Sequence, residues 1–260
     1  MTHNTWPVLL ADYRISEKAR GHRDETIRTR MSYLRRWAAG HEPDASADEV
    51  VAWLACPTWA PSTRKSARGA LRSFYKWARR AGRVKVDPTV DLDPIRVPQS
   101  LPRPASESQV AKGAASGCRD SALMVRLAAN AGLRRAEIAA LRREDLDDMG
   151  RLLVHGKGGK QRLVPVLPII QAEIRSRPSG FLFPGRFAGH LHPSTVARWT
   201  RQASGSSPHP FRHRFATRAY SGTKNLRGVQ EALGHASPDT TKVYIQLADD
   251  ALLDVMWAAA

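Results

Sequence analysis

The sequence predicts a mainly α-helical chain in two domains. A helical first domain spans residues 1–86, and a mixed α/β second domain spans 105–260 and holds one small antiparallel sheet. Three observations predict this. Apolar residues recur at helical spacing through most of the chain. Five prolines (Pro88, Pro94, Pro98, Pro102, Pro104) crowd the stretch 87–104, which shows no regular period. Proline at that density blocks regular structure and stiffens the chain, so 87–104 reads as an interdomain linker. Only Arg151–His155 and Gln161–Val166 read as paired strands, with Gly156, Gly158 and Gly159 forming the hairpin between them.

In the first domain the period predicts helices over Thr26–Ala38, Ala47–Ala55 and Ser62–Ala81, with Ser46 as an N-cap for the second. The third is the informative one. Ala67, Leu71, Phe74 and Ala78 form its apolar stripe. Arg64, Arg68, Arg72, Lys76 and Arg79 or Arg80 form a basic stripe at spacings of three to four. From Arg64 to Val86 there are nine basic residues and no acidic one. Like charges at i,i+4 repel, and an ordinary solvated face mixes signs, so this face reads as one that meets nucleic acid. In the second domain helices are expected near Glu107–Ala115, Arg119–Ala131, Arg135–Arg142, Ile169–Arg175, Pro193–Ala203, Pro210–Ala219 and Leu226–Leu233. A last pair is expected near Pro238–Gln246 and Asp249–Trp257.

Composition narrows the function. Among 260 residues, 42% are hydrophobic and 25% charged, which excludes disorder throughout. No apolar run approaches the ~18 residues a membrane span needs, and Trp6–Ala11 is too brief for a signal peptide, so no membrane partner is expected. Cys56 and Cys118 form no CxxC pair, against a disulfide framework or a structural zinc site. A cytoplasmic protein is expected. The net charge is +17, and both halves are basic: residues 1–100 carry 18 basic and 11 acidic side chains, the remainder 23 and 13. A polyanionic partner, nucleic acid, follows.

Two features near the C-terminal end bear on chemistry. His209 and Arg212 stand three apart at a helix start, where free N–H groups and the helix dipole attract phosphate. Leu233-Gly234-His235 ends one helix, Ser237 and Pro238 open the next, and Tyr244 lies two turns into it. Singly, each such residue is more often a packing or surface group. Glu137, three after Arg134, reads by its spacing as an ordinary surface ion pair. The acidic run Glu144, Asp145, Asp147, Asp148 reads as a solvated charge run rather than a metal site.

Taken together, four segments resemble the boxes of the tyrosine recombinase (phage integrase and Xer-like) family. AGLRRAE at 131–137 resembles its TGLR-x-SE box, and HGKGGKQRLVPV at 155–166 its GKG-x-K-x-R-x-VPL hairpin. HPFRHRFATR at 209–218 resembles its H-x-L-R-H-x-FAT box, and LGHASPDTTKVY at 233–244 its LGH…Y box. Order and spacing match, and the basic helices and proline stretch resemble the family's core-DNA-binding domain and linker. The departures are Ala131 for Thr, Ala136 for Ser, and Pro210-Phe211 for an apolar pair.

The resemblance implies a DNA breaking-rejoining fold and a site-specific recombinase. It implies Arg134, Lys157, His209, Arg212, His235 and Tyr244 as catalytic residues, with Glu137 in support. Tyr244 would be the nucleophile that forms a 3′-phosphotyrosyl link, and Lys157 the acid for the leaving 5′ oxygen. It implies DNA contacts from Arg64, Arg68, Arg72, Lys76 and Arg79. Double-stranded core sites are the expected partner, bound by a homo-tetramer on DNA that is a monomer or weak oligomer when free.

No cofactor or metal is expected. One phosphodiester is exchanged for another ester, arginines take the charge-stabilising place of metal ions, and GKGGKQ is not a nucleotide-binding phosphate loop. The short stretch before the first basic helix predicts the lack of an arm-type DNA-binding domain. The apolar tail 251–260 is expected to dock on a neighbouring subunit. Phage or mobile-element integration is the leading expectation, with Xer-like chromosome or plasmid resolution as the alternative. A non-catalytic DNA-binding regulator and a type IB topoisomerase-like enzyme are the rival classes.

Overall fold

A computed structural model describes residues 5–98, 103–156 and 159–234. The chain divides into two compact units, Met1–Gln99 and Ser100–Ala260.

The first unit contains α1 (Trp6–Ala19), α2 (Asp24–Ala38), α3 (Ala47–Leu54) and α4 (Pro61–Arg80). The last three match the expected helices to within a few residues. Ser46 caps α3 as anticipated, with its hydroxyl accepting from the Glu49 N–H. Helix α1 was not expected. Its inward positions are Leu9, Tyr13 and Glu17, so a buried carboxylate interrupts the apolar period. Glu17 is fully buried against the Arg30 guanidinium from α2. The core between the helices includes Leu34, Trp37, Leu71, Phe74 and Tyr75, and Trp37 Nε1 donates to the Tyr75 hydroxyl at 2.9 Å.

Helix α4 buries Ala67, Ala70, Leu71, Phe74, Tyr75 and Ala78, and exposes Arg72, Lys76, Arg79 and Arg80. The basic stripe therefore divides. Arg64 donates to the Cys56 carbonyl at 3.0 Å and Arg68 to the Leu92 carbonyl, and both are half-buried. For Arg68 the reason lies in the proline stretch. Pro88 and Thr89 are buried and Leu92 packs on the first unit's core, so residues 88–92 belong to that unit and bring the Leu92 carbonyl to this guanidinium.

The second unit contains α5 (Glu107–Ala114), α6 (Arg119–Asn130), α7 (Arg135–Ala140), β1 (Arg151–His155), β2 (Gln161–Pro165) and α8 (Pro168–Arg175). After these come β3 (Pro184–Phe187), α9 (Pro193–Ser204), α10 (Pro208–Thr223) and α11 (Leu226–Leu233). Helix α6 is the axis of the unit. Its Ala- and Leu-rich stretch is buried at Ser121–Val125 and Leu127–Ala129, because α5, α9 and α10 all pack on it. Strands β1 and β2 pair antiparallel in the register Arg151↔Pro165 to His155↔Gln161, as the glycine hairpin implied. Leu152, Val154 and Val164 face the core on alternate positions.

Three further differences have local causes. The helix expected over 135–142 stops at Ala140, because Leu141 is extended and Arg142 bridges to Phe181, with its guanidinium 4.2 Å from that ring's centroid. The short strand β3, Pro-Gly-Arg-Phe, carries no strand signal and is held by isolated bridges from Pro184 and Phe187 to His190. The acidic run closes loops: Glu144 accepts from the Ser179 hydroxyl and the Gly180 N–H, and Asp147 from Arg151.

Among the described residues, none gather as a group of three or more metal-ligating side chains, and no helix is long and apolar enough to cross a membrane. The helices expected over 238–246 and 249–257 lie outside the described residues, and so does the tail.

Candidate active site: an arginine-lined pocket

The site begins at the end of α6. Gly132 adopts a left-handed backbone (φ +64°), and a Cβ there would stand 2.5 Å from the Phe215 ring. Glycine is therefore required twice over, once for the turn and once for the close approach. The turn makes Arg134 the residue that opens α7, and the Glu137 carboxylate accepts from the Arg134 N–H at 2.9 Å. The fold thereby aims Arg134 back toward Glu137.

Glu137 is buried, so it is not the exposed surface pair that its spacing also allowed. Its Oε1 accepts from Arg134 Nη1 at 2.8 Å and from Arg162 Nη1 at 3.0 Å. Its Oε2 accepts from Arg162 Nη2 at 2.8 Å and lies 3.9 Å from Arg212 Nη1. Burial opposes the charged form of this carboxyl. The Arg162 guanidinium, the Arg134 N–H and the Arg134 side chain outweigh it and hold the group below its ordinary value.

The C-terminal end of α11 completes the frame. Arg212 projects from the first turns of α10 and is almost wholly enclosed, donating to the carbonyls of Gly132 and, at 2.6 Å, Leu233. Arg134 Nη1 also donates to Leu233 at 3.2 Å and its Nη2 to Gly234 at 3.4 Å, while Arg162 Nε donates to Ala232 at 2.8 Å. The last carbonyls of a helix carry partial negative charge, which suits three cations. One carboxylate then faces three guanidiniums, and the local charge stays positive.

This excess borders open space. Leu133, Arg134, Arg135, Ala136, Ala197, Ser207, Pro208, His209 and Arg212 line a pocket of about 430 Å³. The Arg134 side chain is 41% exposed, against 3% for Arg212. His209 sits in the first turn of α10, its ring centroid 4.1 Å from that of His213. Burial, then the charges of Arg212, Arg134 and Arg135, push the His209 imidazole below its ordinary value. A positively charged concavity with a helix N-terminus and a neutral imidazole on its rim is chemically fitted to bind an anionic phosphate ester and to donate to its oxygens.

The fold thus brings Arg134, Glu137, His209 and Arg212 together from two distant sequence boxes. Lys157, His235 and Tyr244 lie outside the described residues. Among the basic residues of α4, Arg72, Lys76 and Arg79 are exposed, and Arg64 and Arg68 serve carbonyls of their own unit.

One residue of the site has no role in the sequence reading, although it stands at the arginine of the hairpin box. Arg162 occupies the same face of β2 as buried Val164, two residues on. The available signals were the arginine of the hairpin box and a lone charge at an inward strand position, which requires a buried partner.

Comparison with known proteins points to one family. A model described as the phage integrase family matches residues 107–251. The tyrosine recombinase XerC of Xanthomonas campestris pv. campestris is 34% identical, with the match covering 96% of this chain and 86% of the relative. The XerC of Xanthomonas axonopodis pv. citri is 37% identical over 73% of this chain and 69% of the relative. Among solved structures, the integrase from mycobacterium phage Brujita is 29% identical, with a TM-score of 0.50 over 96% of this chain and 90% of that one. A lambda integrase dimer bound to a COC′ core site is similar in fold, with a TM-score of 0.74 at 20% identity over 94% and 77% of the two chains. The chain belongs to the phage integrase family of tyrosine recombinases, enzymes of site-specific DNA cleavage and rejoining.

Proposed function

We propose that the arginine-lined pocket receives the scissile DNA phosphate and that Tyr244 attacks it. The Tyr244 oxygen forms the new bond to phosphorus, the bond to the 5′ oxygen breaks, and a 3′-phosphotyrosyl ester results. Arg134 and Arg212 hold the charge that grows on the non-bridging oxygens. A forked, permanently charged guanidinium suits that task better than a lysine ammonium. A phenol of ordinary pKa ~10 is ionised to about one part in a thousand at pH 7, so its proton must leave during attack. His209 and His235 are placed by their boxes to receive or donate protons, and Lys157 on the glycine hairpin to protonate the leaving oxygen.

The observation that carries this reading is the convergence of Arg134 and Arg212 on the Leu233 carbonyl, two residues before His235. A regulator that had lost catalysis would have no need of a buried guanidinium aligned beside that box. The exposed basic residues of α4 would hold duplex DNA by its backbone. The neighbouring folds include a lambda integrase tetramer bound to a Holliday junction, which supports assembly as a tetramer on two sites. Such work belongs in the bacterial cytoplasm. Relatives named XerC over most of this chain favour the Xer-like alternative over phage integration, although a phage integrase also lies among the similar structures.

The deciding experiment uses nicked suicide DNA carrying a cognate site. Wild type should give a denaturant-resistant protein–DNA adduct, and Tyr244→Phe should bind the same DNA and give none. An adduct persisting in Tyr244→Phe would remove the nucleophile assignment. Recombination between two sites, with a single-site plasmid left unrelaxed, separates the recombinase from a topoisomerase-like enzyme.

A further inference from the structure

The geometry points to Arg162 as a positioning residue for strand cleavage: it holds Glu137 and the end of α11 in place, and through them it sets the aim of Arg134 and Arg212. This rests on the reading that the arginine pair binds the scissile phosphate. Three observations carry it. Arg162 takes both oxygens of Glu137, at 3.0 and 2.8 Å, from the second position of β2. Its third donor, Nε, secures Ala232, one residue before the carbonyl shared by Arg134 and Arg212. And Arg162 is not among the residues that line the pocket, so its part is played through its neighbours.

The physical argument concerns competition. A buried carboxylate attracts every nearby guanidinium, and at close range in a poorly solvated site that attraction is strong. Arg162, which does not line the pocket, occupies both oxygens of Glu137. Without it, Glu137 would retain Arg134 as its closest partner and Arg212 as its next, and would draw both from the phosphate. The α11 carbonyl at Ala232 would lose its donor as well, and Gly234, whose added Cβ would stand 3.1 Å from Arg162 Nη1, would lose the surface it packs on. Lysine at 162 would keep the charge, but its donors sit on one nitrogen and lack the fixed fork that meets both carboxylate oxygens while Nε holds the Ala232 carbonyl.

The test compares two substrates. A methylphosphonate replaces one non-bridging oxygen of the scissile phosphate with a methyl group, so the phosphorus centre starts neutral and depends less on the arginine pair. Arg162→Gln should bind uncleaved DNA within about threefold of wild type but cleave the phosphodiester about 100-fold more slowly, the scale of a misaligned reacting geometry. On the methylphosphonate the same variant should lose no more than about tenfold. Glu137→Gln added to Arg162→Gln should restore part of the rate, since the unshielded carboxylate is then gone. Equal losses on both substrates, or strictly additive losses in the double variant, would overturn the proposal. Should Arg162→Gln fail to fold, Arg162→Lys carries the same comparison, with a smaller but equally substrate-dependent loss expected. Arg134→Ala is the control: if it shows no preference for the methylphosphonate, the phosphate-binding reading itself fails, whatever Arg162 does.

Discussion

Arg212 Nη2 donates to the Leu233 carbonyl at 2.6 Å across 21 residues of chain, and that contact ties the start of α10 to the end of α11. The same carbonyl accepts from Arg134, so one peptide oxygen orients both guanidiniums of the pocket. The consequences extend from stability to DNA binding.

Glu137 should matter to folding far more than its size implies. Its side chain is 5% exposed and compensates the buried Arg162 and Arg212. Glu137→Ala would leave those guanidiniums their carbonyl partners but no counter-charge, and losing one partner of a buried ion pair costs about 3–5 kcal/mol. Glu107 provides the contrast. Arg214 and Arg218 hold its carboxyl down to about 2, but it is largely exposed, so solvent screening limits Glu107→Ala to about 1 kcal/mol or less. Hydrogen exchange of the α7 and α10 amides in both variants measures the difference, and equal protection losses would contradict it.

Acid should unfold the second unit partly through Glu137. Its folded pKa lies below the ordinary 4.5, so its contribution is present above pH 4.5 and is lost as pH falls through the folded value. Glu137→Gln should flatten the acid limb of a stability–pH curve below pH 4.5 while lowering the plateau above it. An unchanged acid limb would place the titrating group elsewhere.

The two histidines of α10 should titrate apart from free imidazole. Burial, then His209, then Arg212 bring His213 down to about 4, and His209 also falls below its ordinary 6.5. Both are then neutral at pH 7. Because the unfolded chain binds these protons more readily, their neutral burial favours the fold above pH 6.5, and that advantage is lost as pH drops toward 4. Nitrogen-15 NMR of the side chains reads the titrations directly. A midpoint at or above 6.5 for His213 would be inconsistent with its enclosure.

Within α4, DNA binding and stability should separate. Replacing exposed Arg72 and Lys76 with Ala should lower the slope of log affinity against log salt by about two, since each phosphate contact contributes about 0.9. Arg64→Ala and Arg68→Ala should instead lower the melting temperature, because they release the Cys56 and Leu92 carbonyls. Salt-dependent binding isotherms and thermal melts of the three variants decide it, and a steep slope surviving the double replacement would turn that face back to solvent.

The helices other than α1 were legible because their apolar residues keep a 3.6-residue period. The β1–β2 hairpin was legible because glycines separate two strand-like runs. Helix α1 was hidden by Glu17, a core position filled by a charge whose partner, Arg30, is known only once α1 and α2 are packed. Strand β3 was hidden because nothing in Pro-Gly-Arg-Phe favours a strand, and its bridges come from His190. Arg134, Glu137, His209 and Arg212 were legible as residue types at family spacings, but the spacing left Glu137 equally a surface pair.

By itself, then, the order of residues determined the helical class, the basic character, the family and the identity of the candidate groups, since periodicity, composition and box spacing are properties of the chain alone. Only tertiary structure decided that Glu137 is buried, that Arg162 shares it, that Arg64 and Arg68 turn inward, and that α11 carbonyls orient the pocket. Those outcomes depend on which distant groups share a desolvated space, where an unpaired charge or carbonyl is costly, and no local pattern encodes that.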